Sequence, residues 1–158
     1  MKLEHLQAKT AQFFESKTIV LIGISSGKGH EASVANYRKL KEAGYKTYFV
    51  NPFREEFEGQ VCYSRVEDID SPIDAALIFT SPKVTPTVAR ECYEAGIRNI
   101  WIHHGMGGSK SSEASRFLQN KEDVNFIDGA CPLMFIPNGD WFHKGFKNIL
   151  GWMNKLPA

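Results

Sequence analysis

Thr18-Ile19-Val20-Leu21-Ile22-Gly23-Ile24-Ser25-Ser26-Gly27-Lys28-Gly29 is the stretch whose reading decides the fold. It opens as a β-branched and apolar run, residues 18–22, and closes as a glycine and serine loop, residues 23–29. A helical pattern follows from Glu31 to Ala43. Strand, glycine-rich turn and helix form the phosphate-binding start of an open α/β domain. The first turn of a helix leaves backbone N–H groups unpaired, and the helix dipole adds partial positive charge there. Glycines let a diphosphate come close to that backbone. Gly23, Ser25, Ser26, Gly27, Lys28 and Gly29 are therefore expected to hold a nucleotide-type cofactor, with Lys28 adding a full charge.

The spacing is not the dinucleotide fingerprint Gly-x-Gly-x-x-Gly, because Ser25 stands where the second glycine belongs. It is not a P-loop, because Gly29 rather than Ser or Thr follows Gly27-Lys28. The motif names a phosphate near this turn and does not name NAD. The alternative is a plain strand-to-helix turn whose glycines serve geometry only.

Outward from this stretch the pattern repeats. Residues 2–15 read as a short amphipathic helix carrying Leu3, Leu6, Phe13 and Phe14. Gly44 ends the helix after the loop, and residues 47–50 read as strand two. Residues 75–79 form the third strand. Thr85 as N-cap and Pro86 at the first position open a helix that closes near Gly96. Residues 99–102 are a strand, residues 111–119 a helix, and residues 124–127 a fifth strand. The strands are apolar without alternation, as expected of a parallel sheet buried on both faces. Residues 51–74 carry no good helix beyond a short turn at 66–69. The expected fold is a Rossmann-like, doubly wound α/β domain, with a mostly parallel five-stranded sheet and helices on both faces.

At 158 residues the chain reads as one domain: the N-terminal helix, a core over residues 16–134, and a tail helix over 138–158. A net charge of +1 gives no argument for nucleic acid. Cys62, Cys92 and Cys131 are odd in number and scattered, which fits a reducing cytoplasm. No apolar run reaches the ~18 residues that cross a bilayer, and residues 1–5 do not read as a signal peptide.

The loops after the strands describe the ligand. NAD-binding domains usually place an acid after strand two to bond the ribose 2′-hydroxyl. Here Val50-Asn51-Pro52-Phe53-Arg54 stands in that place. A cation there suits a phosphorylated ribose, since guanidinium pairs well with phosphate oxygens. Coenzyme A (CoA) and NADP both meet that requirement. Against this, Arg54 reads equally as a solvated surface charge. Thr80-Ser81-Pro82, His103-His104-Gly105 and Asp128-Gly129-Ala130-Cys131-Pro132 follow later strands at the same edge, where open α/β folds bind ligands.

These residues carry a family resemblance. The matching stretches are Gly23 to Gly29, Val50-Asn51-Pro52, Gly59 with Tyr63, Asp68-Ile69 before Ser71-Pro72-Ile73-Asp74, Thr80-Ser81-Pro82, Glu94-Ala95-Gly96 and Cys131-Pro132. Over roughly residues 16 to 134 the chain resembles the small, stand-alone CoA-binding proteins with a Rossmann-like fold. It is similar, more distantly, to the CoA-binding domain of the succinyl-CoA synthetase α-subunit. The resemblance implies CoA or a short acyl-CoA along the carboxyl edge, without catalysis of its own. The loop from Ser25 to Gly29 would take the diphosphate. Asn51, Pro52 and Arg54 would lie near the phosphorylated ribose, and Thr80, Ser81 and Pro82 would flank the adenine. His103, Gly105, Cys131 and Pro132 complete the expected pocket. The synthetase's phosphorylated histidine lies in a separate domain, so its ligase activity is not carried over.

Other residues invite chemistry less. His103 and His104 point to opposite faces of an extended segment, so one metal would not take both, and no metal is expected. Cys131 reads as pocket wall rather than nucleophile. In the tail, Phe142, Phe146, Ile149, Leu150, Met153 and Leu156 share one helical face, expected to pack on the domain or to form a homodimer contact. A membrane-surface helix or a lid over an acyl chain is the third use of that face. Two other functions stay open: an NADP-dependent oxidoreductase, and a non-enzymatic module that senses CoA and docks a partner through the tail.

Overall fold

A computed structural model of the chain describes residues 3–104 and 109–137. Gly105 and the tail over 138–158 lie outside the described residues, and with them the expectations placed there. The elements run α1 (Leu3–Phe14), β1 (Thr18–Ile22), α2 (Glu31–Glu42), β2 (Lys46–Val50), β3 (Glu56–Phe57), β4 (Gln60–Tyr63), β5 (Ala75–Ile78), α3 (Thr85–Glu94), β6 (Asn99–Ile102), α4 (Ser112–Gln119) and β7 (Asn125–Asp128). Short 3₁₀ turns lie at Val66–Asp68 and Pro132–Met134.

Among the described residues the sheet has seven strands in the order β3-β4-β2-β1-β5-β6-β7, not the five expected. All neighbours are parallel except the β3–β4 hairpin. The two extra strands come from the stretch expected to be irregular. Glu58 and Gly59 both take positive φ, 48° and 78°, which makes a tight two-residue turn. β4 then lies parallel to β2 through Phe49↔Cys62 and Val50↔Tyr63. The doubly wound α/β class stands, widened at one edge.

Successive residues of each strand feed two cores. Ile19, Leu21, Phe49, Leu77, Trp101 and Ile127 face α1 and α2, where Phe13, Tyr37 and Leu40 close the layer. Val20, Ile22, Ile78, Ile100, Ile102 and Phe126 face α3 and α4, against Val88, Cys92, Ala114 and Leu118. Each such side chain contributes about 1.5–3 kcal/mol on burial. Trp101 is fully buried, and its indole N–H donates to the Gly129 carbonyl at 2.9 Å. Phe13 meets it edge-on at 5.3 Å.

Parallel registry brings the strand ends into one line. The Gly23 N–H donates to the Val50 carbonyl, Phe79 to Ile22, His103 to Ile78 and Gly129 to Ile102, at 2.8–3.4 Å. The loops after β1, β2, β5, β6 and β7 therefore share the carboxyl edge. One boundary differs from expectation. Val84, not Thr85, is the N-cap of α3. Thr85 lies inside the helix, fully buried, and its hydroxyl donates to the Ser81 carbonyl at 2.9 Å.

Candidate functional site at the carboxyl edge

Gly23 leaves β1 with φ +88°, and a Cβ on it would lie 3.0 Å from Phe79 C and from Thr80 N. Only glycine lets the β1 and β5 exits touch this closely. Gly27 (φ +114°) and Gly29 (φ +89°) differ, because a Cβ on either meets nothing within 4 Å. Their backbone faces open space. Ser26, Gly27, Lys28 and Gly29 are all exposed. This is the geometry a diphosphate needs: a rigid base at Gly23 and an uncovered turn ahead of α2.

His30 is the N-cap of α2, and its side chain makes no capping bond. The Gly29 N–H instead donates to the Glu31 carboxylate at 2.9 Å. The Ser33 hydroxyl donates to the His30 carbonyl at 2.8 Å, and the Ser25 N–H reaches its oxygen at 3.4 Å. Ser33 thus folds the loop back onto its own helix.

The β2 loop divides its residues between support and contact. Asn51 is buried, 8% exposed. Its side-chain amide donates to the Ile24 carbonyl at 2.8 Å and accepts from the Phe53 N–H at 2.9 Å. Pro52 and Phe53 stand in solvent, Phe53 93% exposed. Arg54 turns back across the edge: Nη2 donates to the Ser26 hydroxyl at 3.0 Å, and the guanidinium lies 5.8 Å from the Phe57 ring centre. The structure therefore brings Arg54 to the glycine loop, in a contact that stays exposed.

Ser81 and Pro82 are exposed beside Gly23, while the Thr80 hydroxyl lies 2.9 Å from that of Thr85. At β6 the two histidines part, as the pleat requires. His103 is 4% exposed, with its ring 5.2 Å from that of Phe79. Burial, and then the charge of His104, push its pKa down, so it stays neutral at pH 7. His104 is turned to Asp128, with Nε2 2.7 Å from Oδ1. At β7, Ala130 holds φ +60° and delivers Cys131 towards α2. There the buried Asn36 amide lies 3.9 Å from the Cys131 sulfur. Pro132, next in the chain, is buried.

Sequence reasoning passed over Glu31, Ser33, Asn36 and the His104–Asp128 pair. The first three lie inside a helical pattern, where nothing marks a residue that faces a loop. His104 and Asp128 are 24 residues apart and meet only through strand registry, Ile102↔Asp128. Among the described residues no three His, Cys, Asp or Glu side chains converge as a metal site, and no helix is long and apolar enough to cross a membrane.

Residues 17–137 match the CoA binding domain family. The chain belongs to that family. YneT of Bacillus subtilis is 29% identical over 113 residues, covering 72% of this chain and 81% of that protein. An ADP-forming acetate–CoA ligase of Methanocaldococcus jannaschii is 34% identical over 86 residues. That match takes in 54% of this chain and only 12% of the ligase. A Pyrococcus horikoshii structure aligns with TM-score 0.67 at 27% identity, over 84% of this chain and 88% of that one. A Pyrococcus furiosus structure aligns with TM-score 0.63 at 30% identity, over 74% and 97%. As a CoA binding domain, this chain has its glycine loop, Arg54 and the β5–β7 exits in one line at one edge.

Proposed function

We propose that the chain binds CoA or a short acyl-CoA along the carboxyl edge. The diphosphate lies on residues 25–29, against open glycine backbone. Arg54 serves the 3′-phosphate of the ribose. Ser81 and Pro82, beside Thr80, flank the adenine. The pantetheine arm runs away from Arg54, past the β5 exit, towards the β6 and β7 exits and Cys131. Asn51 acts indirectly, by fixing the loop that Arg54 contacts.

One observation carries this reading: the 3.0 Å contact from Arg54 to Ser26. It sets a cation at the exits of β1 and β2, in place of the acid a dinucleotide domain uses there. An anionic ribose is what that exchange favours. Native mass spectrometry of the purified protein tests the reading. An adduct with the mass of CoA or an acyl-CoA supports it. Retention of NADP in place of CoA overturns it.

A further inference from the structure

Resting on that reading, we propose that the Phe53 ring stacks on the adenine of CoA and closes the base between the β2 and β5 loops. Phe53 is 93% exposed, the most exposed of the large apolar side chains among the described residues. The other described phenylalanines are buried or half-buried. Apolar side chains scattered over a surface are ordinary. Phe53 differs because its backbone is tied down and its place is the ligand edge.

A turn holds it there. The Arg54 N–H donates to the Asn51 carbonyl at 3.2 Å and closes a four-residue turn over residues 51–54. Pro52 takes the second position, where its fixed φ suits the turn. The Phe53 N–H donates to the Asn51 side chain at 2.9 Å, and that side chain donates in turn to the Ile24 carbonyl at 2.8 Å. Phe53 is therefore anchored through Asn51 to the exit of β1. Its exposure is built into the turn and is not the product of a loose loop.

Position agrees with chemistry. The adenine and the 3′-phosphate of CoA are substituents of one ribose. Consecutive Cα atoms are about 3.8 Å apart. With Arg54 on that phosphate, the neighbouring Phe53 is within reach of the base. The facing wall is the β5 loop, where exposed Ser81 and Pro82 lie in a turn closed by the Val84 N–H on the Ser81 carbonyl at 2.9 Å. The order β2-β1-β5 sets the two loops two strand spacings apart, about 10 Å. A flat base in contact on both faces fills about 7–8 Å of that width. An aromatic face suits any base, because stacking uses the π-surface and no hydrogen bond. Phe53 thus adds affinity for the nucleoside end, while Arg54 adds the choice of phosphate. The competing view is a solvated side chain with no ligand role.

The test is calorimetry of the full chain, Phe53→Ala and Phe53→Tyr against CoA and dephospho-CoA, with a thermal melt of each protein. Phe53→Ala should melt with the parent, since the ring is in solvent, yet bind CoA about five- to a hundredfold more weakly. Dephospho-CoA should lose the same factor, because it keeps the adenine. Phe53→Tyr, which keeps the ring, should retain most of the affinity. Phe53→Trp gives a second readout: CoA should quench its emission beyond the quenching seen in the parent. Unchanged CoA affinity in Phe53→Ala overturns the proposal. A loss confined to CoA overturns it too, since the change would then act through Arg54, as does Phe53→Trp emission quenched no more than the parent's. A parent chain that binds neither ligand would instead overturn the functional reading beneath it.

Discussion

The side-chain amide of Asn51 donates to the Ile24 carbonyl at 2.8 Å, and this buried bond joins the exits of β1 and β2. The residue after strand two, where dinucleotide domains commonly keep an acid, here braces the glycine loop.

Replacing Asn51 should therefore act on stability first. Asn51→Ala leaves the Ile24 carbonyl and the Phe53 N–H without partners, at a cost of about 1–3 kcal/mol. Melting should fall by about 2–4 °C for each kcal/mol in a chain of this size. Asn51→Asp should be worse at pH 7, since it sets a carboxylate against a carbonyl oxygen. A thermal melt of both variants checks the order. An Asn51→Asp protein as stable as the parent would show that the bond does not matter.

Two glycines in one loop should respond in opposite ways. Gly23→Ala forces a Cβ to 3.0 Å from the β5 backbone, at φ +88°. Overpacking of that kind costs about 1–3 kcal/mol, and the backbone strain adds about 1–3 more. Urea denaturation should show a large loss. Gly27→Val meets nothing, so it should fold with only the strain of its backbone, yet bind CoA far more weakly. Equal CoA affinity in folded Gly27→Val would reduce the loop to a turn.

Glu31 occupies the Gly29 N–H that a diphosphate would want. Glu31→Gln should raise CoA affinity about two- to fivefold, the scale of one charge at a helix N-terminus. The same change should lower stability slightly, because the helix loses a favourable anion. Calorimetry and a melt together read both signs. A fall in affinity would place the phosphates elsewhere.

Asp74 links the sheet's other edge to pH. Its carboxylate accepts the Lys17 N–H, the Thr18 N–H and the Thr18 hydroxyl, at 2.9–3.0 Å. These bonds, in that order, hold its pKa below the ordinary carboxylate value. A depressed folded pKa adds stability above the unfolded value, about 3.9, and loses it as pH falls through the folded one. Asp74→Asn should therefore destabilise the chain at pH 7 and cost progressively less below about pH 4. A gap between the two proteins that is constant with pH would contradict this.

How far the sequence revealed this molecule depends on the element. β1, β5, β6 and β7 were legible because each carries adjacent apolar residues, as strands of a sheet buried on both faces do. β3 and β4 were not. Glu56-Phe57 and Gln60 to Tyr63 are short and half polar, and Glu58-Gly59 is not among the dipeptides that announce a hairpin. They pair only because β2 offers an edge. In the site, the glycine loop and Arg54 could be found by residue type and order. Asn51 could be found too, but its bracing role could not, since it needs a carbonyl 27 residues away. The His104–Asp128 pair was likewise invisible before the β6–β7 register was known.

In the proposed complex Arg54, beside Ser26, reads the phosphorylated ribose of CoA. Calorimetry of the parent chain and Arg54→Gln against CoA and dephospho-CoA tests it most directly. The parent chain should prefer CoA by about tenfold or more, the worth of one charge-assisted contact. Arg54→Gln should bind the two ligands equally, with dephospho-CoA affinity little changed. Equal affinity of the parent chain for both ligands would contradict it.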